Sequence, residues 1–335
     1  MNIILFLSLV ISFFVSFYSI PFWIKKAKSA GLVWEDMNKY KKEKNIAGSG
    51  GVVVIIAFSA GIFSYIAIRT FLFNIEDGTN LKIFALLSVI FLFTLIGIVD
   101  DLFGWKMRGL SAKTRIFLGI FASTPLIVIN AGVSTMNFPF LGPIELGLIY
   151  PLLFIPIGIV GAAASYNMLA GYNGLEAGQG IIILGFLSYV AYKTGNPWLS
   201  IIGLIMVFAL LGFLFYNFFP AKVFPGDSLT WSIGSLIACM SILGNFEKIA
   251  MFVFIPYIIE VGLKIRGRLK KQSFGKPNKE GGLDLPYNKI YGLEHLAIYI
   301  LKKIKPSKKV YEKEVVYLIY GFQIIIIILA WVIFL

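Results

Sequence analysis

A polar segment, NMLAGYNGLEAG at residues 167–178, interrupts two long apolar runs at 152–164 and 181–191. Its glycines allow positive φ angles and a close approach of backbone to ligand. Its asparagines supply both an amide donor and a carbonyl acceptor. A turn that merely reverses the chain is the simpler alternative, but a plain connection between membrane helices does not need this combination. The segment therefore indicates a binding site at the edge of a bilayer.

Composition assigns the chain to the integral membrane proteins. Its 335 residues are 58% hydrophobic and only 14% charged, with a mean hydropathy of +0.85, whereas soluble domains hold about 25% charged residues. The apolar runs are much longer than barrel strands of roughly ten residues, so they predict helices. One cysteine and one histidine exclude a disulfide framework and a histidine-rich metal site. We expect one transmembrane domain over residues 1–335.

The hydropathy pattern predicts an all-α polytopic fold of about ten transmembrane helices. The predicted spans are 2–24, 50–73, 82–99, 115–133, 146–166, 178–192, 198–218, 229–243, 249–264 and 315–335. Alternate loops then share a side. One set is 25–49, 100–114, 167–177, 219–228 and 265–314, and the other set consists of short loops.

The basic residues orient this arrangement. Of the 30 Lys and Arg residues, 4 lie in or beside the short loops and 26 lie on the other side. The positive-inside rule makes that other side cytoplasmic and places both termini outside. The net charge of +13 thus mainly reflects the membrane topology and contacts with membrane lipids. It does not indicate binding of nucleic acid. In loop 265–314, residues 293–301 predict an amphipathic helix on the membrane surface.

Two acidic motifs join the polar segment on the predicted cytoplasmic side. Asp100 and Asp101 end the third span, where acids oppose the helix dipole, although they could simply mark the membrane boundary. Asp227 follows Gly226 at the start of the eighth span, where an N-cap is the alternative explanation. Carboxylates and amide oxygens suit Mg²⁺, which keeps substrate phosphates in its shell. The basic residues Lys113 and Arg115, which could also be topology markers, would then face phosphate.

These motifs resemble those of the polyprenyl-phosphate N-acetylhexosamine-1-phosphate transferases. The acid pair, the 167–178 segment and residues 224–227 follow the family's order and similar separations over nearly the whole chain. The pattern N-x-x-A-G-x-N-G-L-E-x-G is closest to the eukaryotic and archaeal branch that makes GlcNAc-pyrophosphoryl-dolichol. The bacterial phospho-MurNAc-pentapeptide branch has a carboxylate-bearing version of this segment and a His-x-His motif, and this chain has neither.

The resemblance implies a role for each motif. Asp227 and Asn167 would bind Mg²⁺, with Mn²⁺ as an alternative ion. Asp100 and Asp101 would act catalytically near the metal and the lipid phosphate. The remaining candidates would bind substrate: Gly171 and Asn173 would hold uracil, Phe224 would stack on it, and Arg115, Lys113 and Lys276 would contact phosphate or sugar. Gly226 is a further substrate-binding candidate. Residues 36–39 resemble a family segment of unclear role, and Gly48-Ser49-Gly50-Gly51 departs from the family's usual Pro-Glu.

The implied reaction is Mg²⁺-dependent transfer of GlcNAc-1-phosphate from UDP-GlcNAc to a dolichyl or other polyprenyl phosphate. It would release UMP in the first step of lipid-linked oligosaccharide assembly. The expected location is the cell membrane of an archaeal-type cell, or the endoplasmic reticulum of a eukaryote, with a cytoplasmic active site; a homodimer stays open. Another UDP-N-acetylhexosamine, undecaprenyl phosphate as acceptor, or a polytopic transporter are the alternatives.

Overall fold

The computed structural model describes residues 3–41, 44–106, 109–138 and 142–335. The chain is mostly helical. The helices are α1 (Leu7–Ser29), α2 (Gly51–Ala67), α3 (Thr79–Lys106), α4 (Ala112–Ala122), α5 (Thr124–Val128), α6 (Ile155–Met168), α7 (Leu175–Lys193), α8 (Pro197–Asn217), α9 (Asp227–Gly244), α10 (Glu247–Val253), α11 (Ile255–Arg266), α12 (Leu293–Ile304) and α13 (Glu312–Phe334).

Within the described residues, eight helical segments are long and apolar enough to cross a membrane. They contain α1, α2, α3, α6, α7, α8, α9 and α13, in some cases with an adjoining turn. This finding confirms a polytopic helical membrane protein. The other two predicted spans, 115–133 and 249–264, are interrupted: α4 and α5 meet at Ser123, and α10 and α11 meet at Phe254.

A proline lies just beyond each interruption. Pro125 and Pro256 occupy the first turns of α5 and α11. Proline cannot donate the backbone hydrogen bond of a helix interior, and its ring clashes with the preceding turn. A hydropathy profile averages over such a break, which is why the sequence predicted one span in each place. Whether these pairs complete a total of ten spans stays a prediction.

Helix α9 is the centre of the bundle. Residues 228–244 are all buried, although the helix carries serines and glycines among its apolar residues. A Cβ on Gly234 would meet the backbone of α6, and one on Gly51 would meet the backbone of Leu229. Small residues therefore let α2 and α6 approach α9 closely. This packing fixes the first turn of α9, where Asp227 lies.

Among the residues that the structure describes, three short antiparallel hairpins supplement the predicted all-α fold. They pair β1 (Val33–Glu35) with β2 (Lys44–Ala47), β3 (Thr135–Phe138) with β4 (Gly142–Glu145), and β5 (Lys276–Pro277) with β6 (Leu283–Asp284). The first hairpin also forms a parallel bridge between Ala47 and Val223. Gly50 and Gly51 donate backbone hydrogen bonds of 2.9 Å to the carbonyls of Phe224 and Pro225. The end of the first hairpin and the start of α2 therefore hold the segment that leads into α9.

Candidate active site

A cavity of about 560 Å³ opens at the end of the bundle where the basic loops meet. Its walls come from five separated parts of the chain: the first hairpin with residues next to it, Asp101 of α3, the 167–178 segment, residues 224–230 and the last loop before α12. The three motifs singled out in the sequence thus converge. Of their residues, the lining includes Asp101, Asn167, Gly171, Phe224, Gly226 and Asp227.

Asp227 and Asn167 form the polar floor of this cavity. Asn167 lies in the last turn of α6, and its Nδ2 donates to Asp227 Oδ1 and to Thr230 Oγ1, both at 2.8 Å. The amide nitrogen of Asn167 is therefore occupied by the protein. The side-chain carbonyl oxygen of Asn167 is a potential ligand for a cation, because this side chain lines the cavity. The two residues predicted to hold a metal ion are in contact.

Arg115 joins Asp227 to Asp100. Its Nη1 lies 2.9 Å from Asp100 Oδ2 and 3.1 Å from Asp227 Oδ2, and the guanidinium also lies over the ring of Trp231. Asp100 accepts a further hydrogen bond from the backbone of Leu110. Arg115 is thus more than a topology marker, because it places a positive charge between two carboxylates beside the cavity.

Asp101 has a different task from its neighbour. Its Oδ1 accepts from the Asp227 backbone nitrogen at 2.7 Å and its Oδ2 from that of Ser228 at 3.3 Å. It therefore caps the first turn of α9 from another helix. Gly226 has φ +72°, and a Cβ there would collide with the Asp101 carboxylate. The geometry makes Asp101 and Gly226 positioning residues for Asp227, a distinction that their sequence did not show.

Aromatic side chains form another part of the cavity lining. Phe224 and Phe274 line the cavity, and Gly171 lies against the Phe274 ring with φ +103°. The Gly171 backbone nitrogen donates to Glu176 Oε1 at 2.7 Å. Glu176, for which the sequence suggested no role, thus holds this turn. Aromatic faces of this kind favour stacking with a planar ligand such as a base.

Asn173, Lys113 and Lys276 lie outside the cavity lining. Asn173 is buried behind the wall, with its Nδ2 3.1 Å from Asp36 Oδ2. Lys113 and Lys276 are exposed. The predicted direct contacts of these three residues stay predictions, and the structure brings none of them to the cavity surface.

Several lining residues had no assigned role in the sequence. They are Trp34, Asp36 and Met37 of the first loop, Tyr172, and Gln272 and Phe274 of the last loop. The only signal was indirect, since residues 36–39 resembled a family segment and Phe274 stood two residues from Lys276. Phe274, two residues before the start of β5, lines the cavity, whereas Lys276 at the start of β5 is exposed to solvent.

Tyr172 anchors the last loop to the 167–178 segment. Its hydroxyl accepts a hydrogen bond from the Gly275 backbone nitrogen at 3.0 Å and lies 3.4 Å from the Ser273 carbonyl. Burial raises the pKa of Tyr172 well above its usual range. The hydroxyl therefore stays protonated and can donate to Ser273. This contact keeps Gln272 and Phe274 at the cavity.

The donor set fits a metal ion that arrives with a diphosphate. Among the residues described, no three His, Cys, Asp or Glu side chains form a group that could hold a metal ion by themselves. Mg²⁺ does not need such a group, because it binds through one or two carboxylates, waters and substrate phosphates. Asp227 and Asn167 supply oxygen donors of this kind at the cavity floor.

Comparisons with known proteins agree with the arrangement of these motifs. The family model described as Glycosyl transferase family 4 matches residues 83–245. A protein of Sulfolobus acidocaldarius is 33% identical over 326 residues, which cover 97% of this chain and 94% of that protein. A protein of Saccharolobus solfataricus is 35% identical over 97% of this chain and 95% of its own length. Both carry the provisional designation UDP-N-acetylglucosamine–dolichyl-phosphate N-acetylglucosaminephosphotransferase.

A bacterial protein shows a weaker similarity. It comes from Bacillus subtilis and is 28% identical over 81% of this chain and 75% of its own length. Its designation, also provisional, is undecaprenyl-phosphate N-acetylglucosaminyl 1-phosphate transferase. The relatives thus share a sugar-phosphate transfer in their designations and differ in the lipid acceptor.

Proposed function

Because the chain belongs to glycosyl transferase family 4, we propose that it transfers GlcNAc-1-phosphate from UDP-GlcNAc to a dolichyl-type polyprenyl phosphate. UMP and a GlcNAc-diphospho-lipid are the products. One observation supports this function most directly: Asp227 and Asn167 line one cavity together with Phe224 and Phe274, and Arg115 links Asp227 to Asp100 beside it. Such a cavity has one end for a diphosphate and another for a base.

The reaction is a substitution at phosphorus. An oxygen of the lipid phosphate forms a bond to the β-phosphorus of UDP-GlcNAc, and the bond from that phosphorus to the bridging oxygen breaks. The bridging oxygen keeps the electron pair and leaves with UMP. The second pKa of a phosphate monoester is about 6, so the nucleophile is largely dianionic at neutral pH. Alignment and charge neutralisation therefore matter more than a general base.

The site residues have separate tasks in this reaction. Asp227 and Asn167 would hold Mg²⁺, or Mn²⁺ in its place, which when bound supplies charge neutralisation to the diphosphate. Asp100 orients Arg115, whose guanidinium is close enough to Asp227 to contact a phosphate held there. Asp101 and Gly226 keep Asp227 in place. Phe224 stacks on uracil against the Gly171 backbone, with Asn173 supporting the same turn from behind.

The membrane orientation belongs to the same proposal. The excess of Lys and Arg on the site side of the bundle supports a cytoplasmic active site with both termini outside. UDP-sugars are water-soluble, so they would reach the cavity from the cytosol while the prenyl chain stays in the bilayer. The archaeal relatives support a cell-membrane location and a role in lipid-linked oligosaccharide assembly, as used in protein N-glycosylation. A homodimer stays a prediction.

The test uses the purified full-length chain in lipid nanodiscs. UDP-GlcNAc is mixed with dolichyl phosphate or undecaprenyl phosphate, and released UMP and labelled lipid are measured with and without Mg²⁺. We expect Mg²⁺-dependent release of UMP matched by a lipid product, with the dolichyl acceptor preferred, and loss of both on chelation. Binding of a UDP-sugar without any lipid product from a panel of UDP-N-acetylhexosamines would overturn the enzyme proposal and favour a transporter.

A further inference from the structure

Residues 36–39 of the first loop contact one turn of the 167–178 segment. Asn38 Nδ2 donates to the Gly171 carbonyl at 2.8 Å. Asp36 Oδ2 accepts from Asn173 Nδ2 at 3.1 Å, and Asp36 Oδ1 accepts from the Asn38 backbone at 3.0 Å. Both side chains are buried. The first loop therefore holds the turn 170–174 at two points.

Glu312 holds the same turn from the last helix. Its Oε1 accepts from the Asn173 backbone nitrogen at 2.8 Å, and its other oxygen pairs with Lys39. Lys39 also lies 3.4 Å from Asp36 Oδ2 and 3.9 Å from the centre of the Phe219 ring. Glu312 is only 4% exposed. The start of α13 and the first loop are thus joined through Lys39.

The buried carboxylates of this cluster need hydrogen bonds that the turn 170–174 donates. Asp36 and Glu312 carry two negative charges against the single positive charge of Lys39. Buried carboxylates are costly unless ion pairs and hydrogen bonds satisfy them. The Asn173 backbone and side-chain nitrogens supply the missing donors. In return, the acids fix the position of Asn173 and the orientation of its amide. On its other side, the turn is held by the Gly171–Glu176 hydrogen bond.

We propose that Asp36, Asn38, Lys39 and Glu312 are positioning residues that hold the turn 170–174 in its nucleotide-binding shape. This proposal rests on the proposed function, because it assigns the turn to the uracil end of UDP-GlcNAc. Gly171, Tyr172, Asp36 and Met37 all line the cavity, so a movement of the turn changes the cavity wall directly. None of the four residues needs to touch the reacting phosphates. They set affinity for the sugar nucleotide and leave the chemical step unchanged.

The experiment compares Lys39→Gln, Asn38→Ala and Glu312→Gln with Lys41→Gln in the full-length chain. Lys41 is exposed and only two residues from Lys39, so its substitution controls for the loss of one basic residue from this loop. Hydrogen bonds to buried charged groups are strong enough to predict a rise of about tenfold in the KM for UDP-GlcNAc. We expect kcat and the KM for the lipid phosphate to change by less than about twofold. Lys39→Arg should restore the wild-type KM, and Lys41→Gln should match the wild type.

Amide hydrogen exchange of peptides that cover 169–175 provides a readout that needs no substrate. We expect faster exchange in the three variants than in the wild type and in Lys41→Gln. Unchanged exchange and an unchanged KM for UDP-GlcNAc would overturn the proposal. A fall in kcat and in thermal stability together with a rise in both KM values would also overturn it, because that result indicates a general structural role. A wild type that transfers no sugar phosphate would refute the proposed function, while the exchange measurement would still decide whether these residues hold the turn.

Discussion

One carboxylate oxygen of Asp227 accepts a hydrogen bond from Asn167 and the other accepts one from Arg115. The Asp227 backbone nitrogen donates to the Asp101 carboxylate. Three parts of the chain thus determine where a single side chain lies. This convergence explains why the residue types alone could not separate an N-cap from a metal ligand. Asp227 begins α9, but the cap of that helix comes from Asp101.

The first prediction concerns the charge of Asp227. Asp227→Asn keeps the size of the side chain and the packing of α9, but it removes the anionic oxygen expected at the metal ion and the ion pair with Arg115. We expect kcat to fall by at least about a hundredfold, as for loss of a group that stabilises transition-state charge. Thermal unfolding and UMP release measured on the same preparation check this.

Asp284→Asn is the matched control for Asp227→Asn. Asp284 is a half-exposed carboxylate of the last loop that pairs with Lys302, and that lysine holds its pKa below the usual range. A surface ion pair contributes roughly 0–1 kcal/mol, so transfer should be unaffected. Near-normal activity of Asp227→Asn, or an equal loss in both variants, would contradict the metal assignment.

The second prediction compares two basic residues of α4. Arg115 neutralises Asp100 and Asp227, whereas Lys113 is exposed one half-turn away. Arg115→Gln leaves two neighbouring carboxylates without their shared counter-charge and should lower kcat/KM by about a hundredfold. Because Lys113 is exposed and lies outside the cavity lining, Lys113→Gln should stay within about twofold of the wild type, and a larger loss would support the substrate contact that the sequence suggested. If both variants lose activity equally, the basic character of the loop matters and the position of Arg115 does not.

At the level of the helices, close approach of α3 to α9 decides where the acids meet. A Cβ on Gly97 would lie 2.5 Å from the Asp227 carbonyl group and the Ser228 nitrogen. The glycine is therefore needed one turn before Asp100 and Asp101. Only with this spacing can Asp101 reach the first amides of α9. The sequence showed a glycine before the acid pair but not which helix it faces.

The third prediction tests this contact. Gly97→Ala should destabilise the protein by about 1–3 kcal/mol, the usual cost of overpacking, and should lower activity because Asp227 must shift. Gly158→Ala is the control, since a Cβ on Gly158 of α6 meets no atom within 4 Å. It should be neutral or stabilising by up to about 1 kcal/mol. Thermal unfolding in detergent compares the two, and similar midpoints would refute the steric argument.

At the scale of the whole molecule, the fourth prediction concerns orientation. The single Cys239 is fully buried, so the wild type should resist a membrane-impermeant thiol reagent. Glu76→Cys lies in an exposed loop on the side away from the site and should react in intact cells. Lys279→Cys lies in the loop between α11 and α12 and should react only after permeabilisation. The reverse pattern would place the active site outside and contradict the use of a cytosolic nucleotide.

The sequence alone determined the class of the molecule and the three motifs that meet at its candidate site. Hydropathy depends only on the residues of the segment itself. Apolar runs long enough to form membrane-spanning helices therefore indicate a helical membrane bundle, whichever helices they pack against. Three polar motifs were recognisable in the same local way, because polar and acidic residues are energetically costly next to a membrane. They are the acid pair, the 167–178 segment and residues 224–227. Their common side followed from the alternation of loops.

Only the tertiary structure decided which atoms of those motifs face the cavity. Asp101 caps α9 while Asp100 binds Arg115, Asn173 is held behind the wall, and Phe274 lines the cavity in place of Lys276. Each outcome depends on a partner far away in the chain, such as Asp36 or Glu312 for Asn173. The partner of a polar atom is set by how the helices pack, and a pattern of residue types carries no record of that packing.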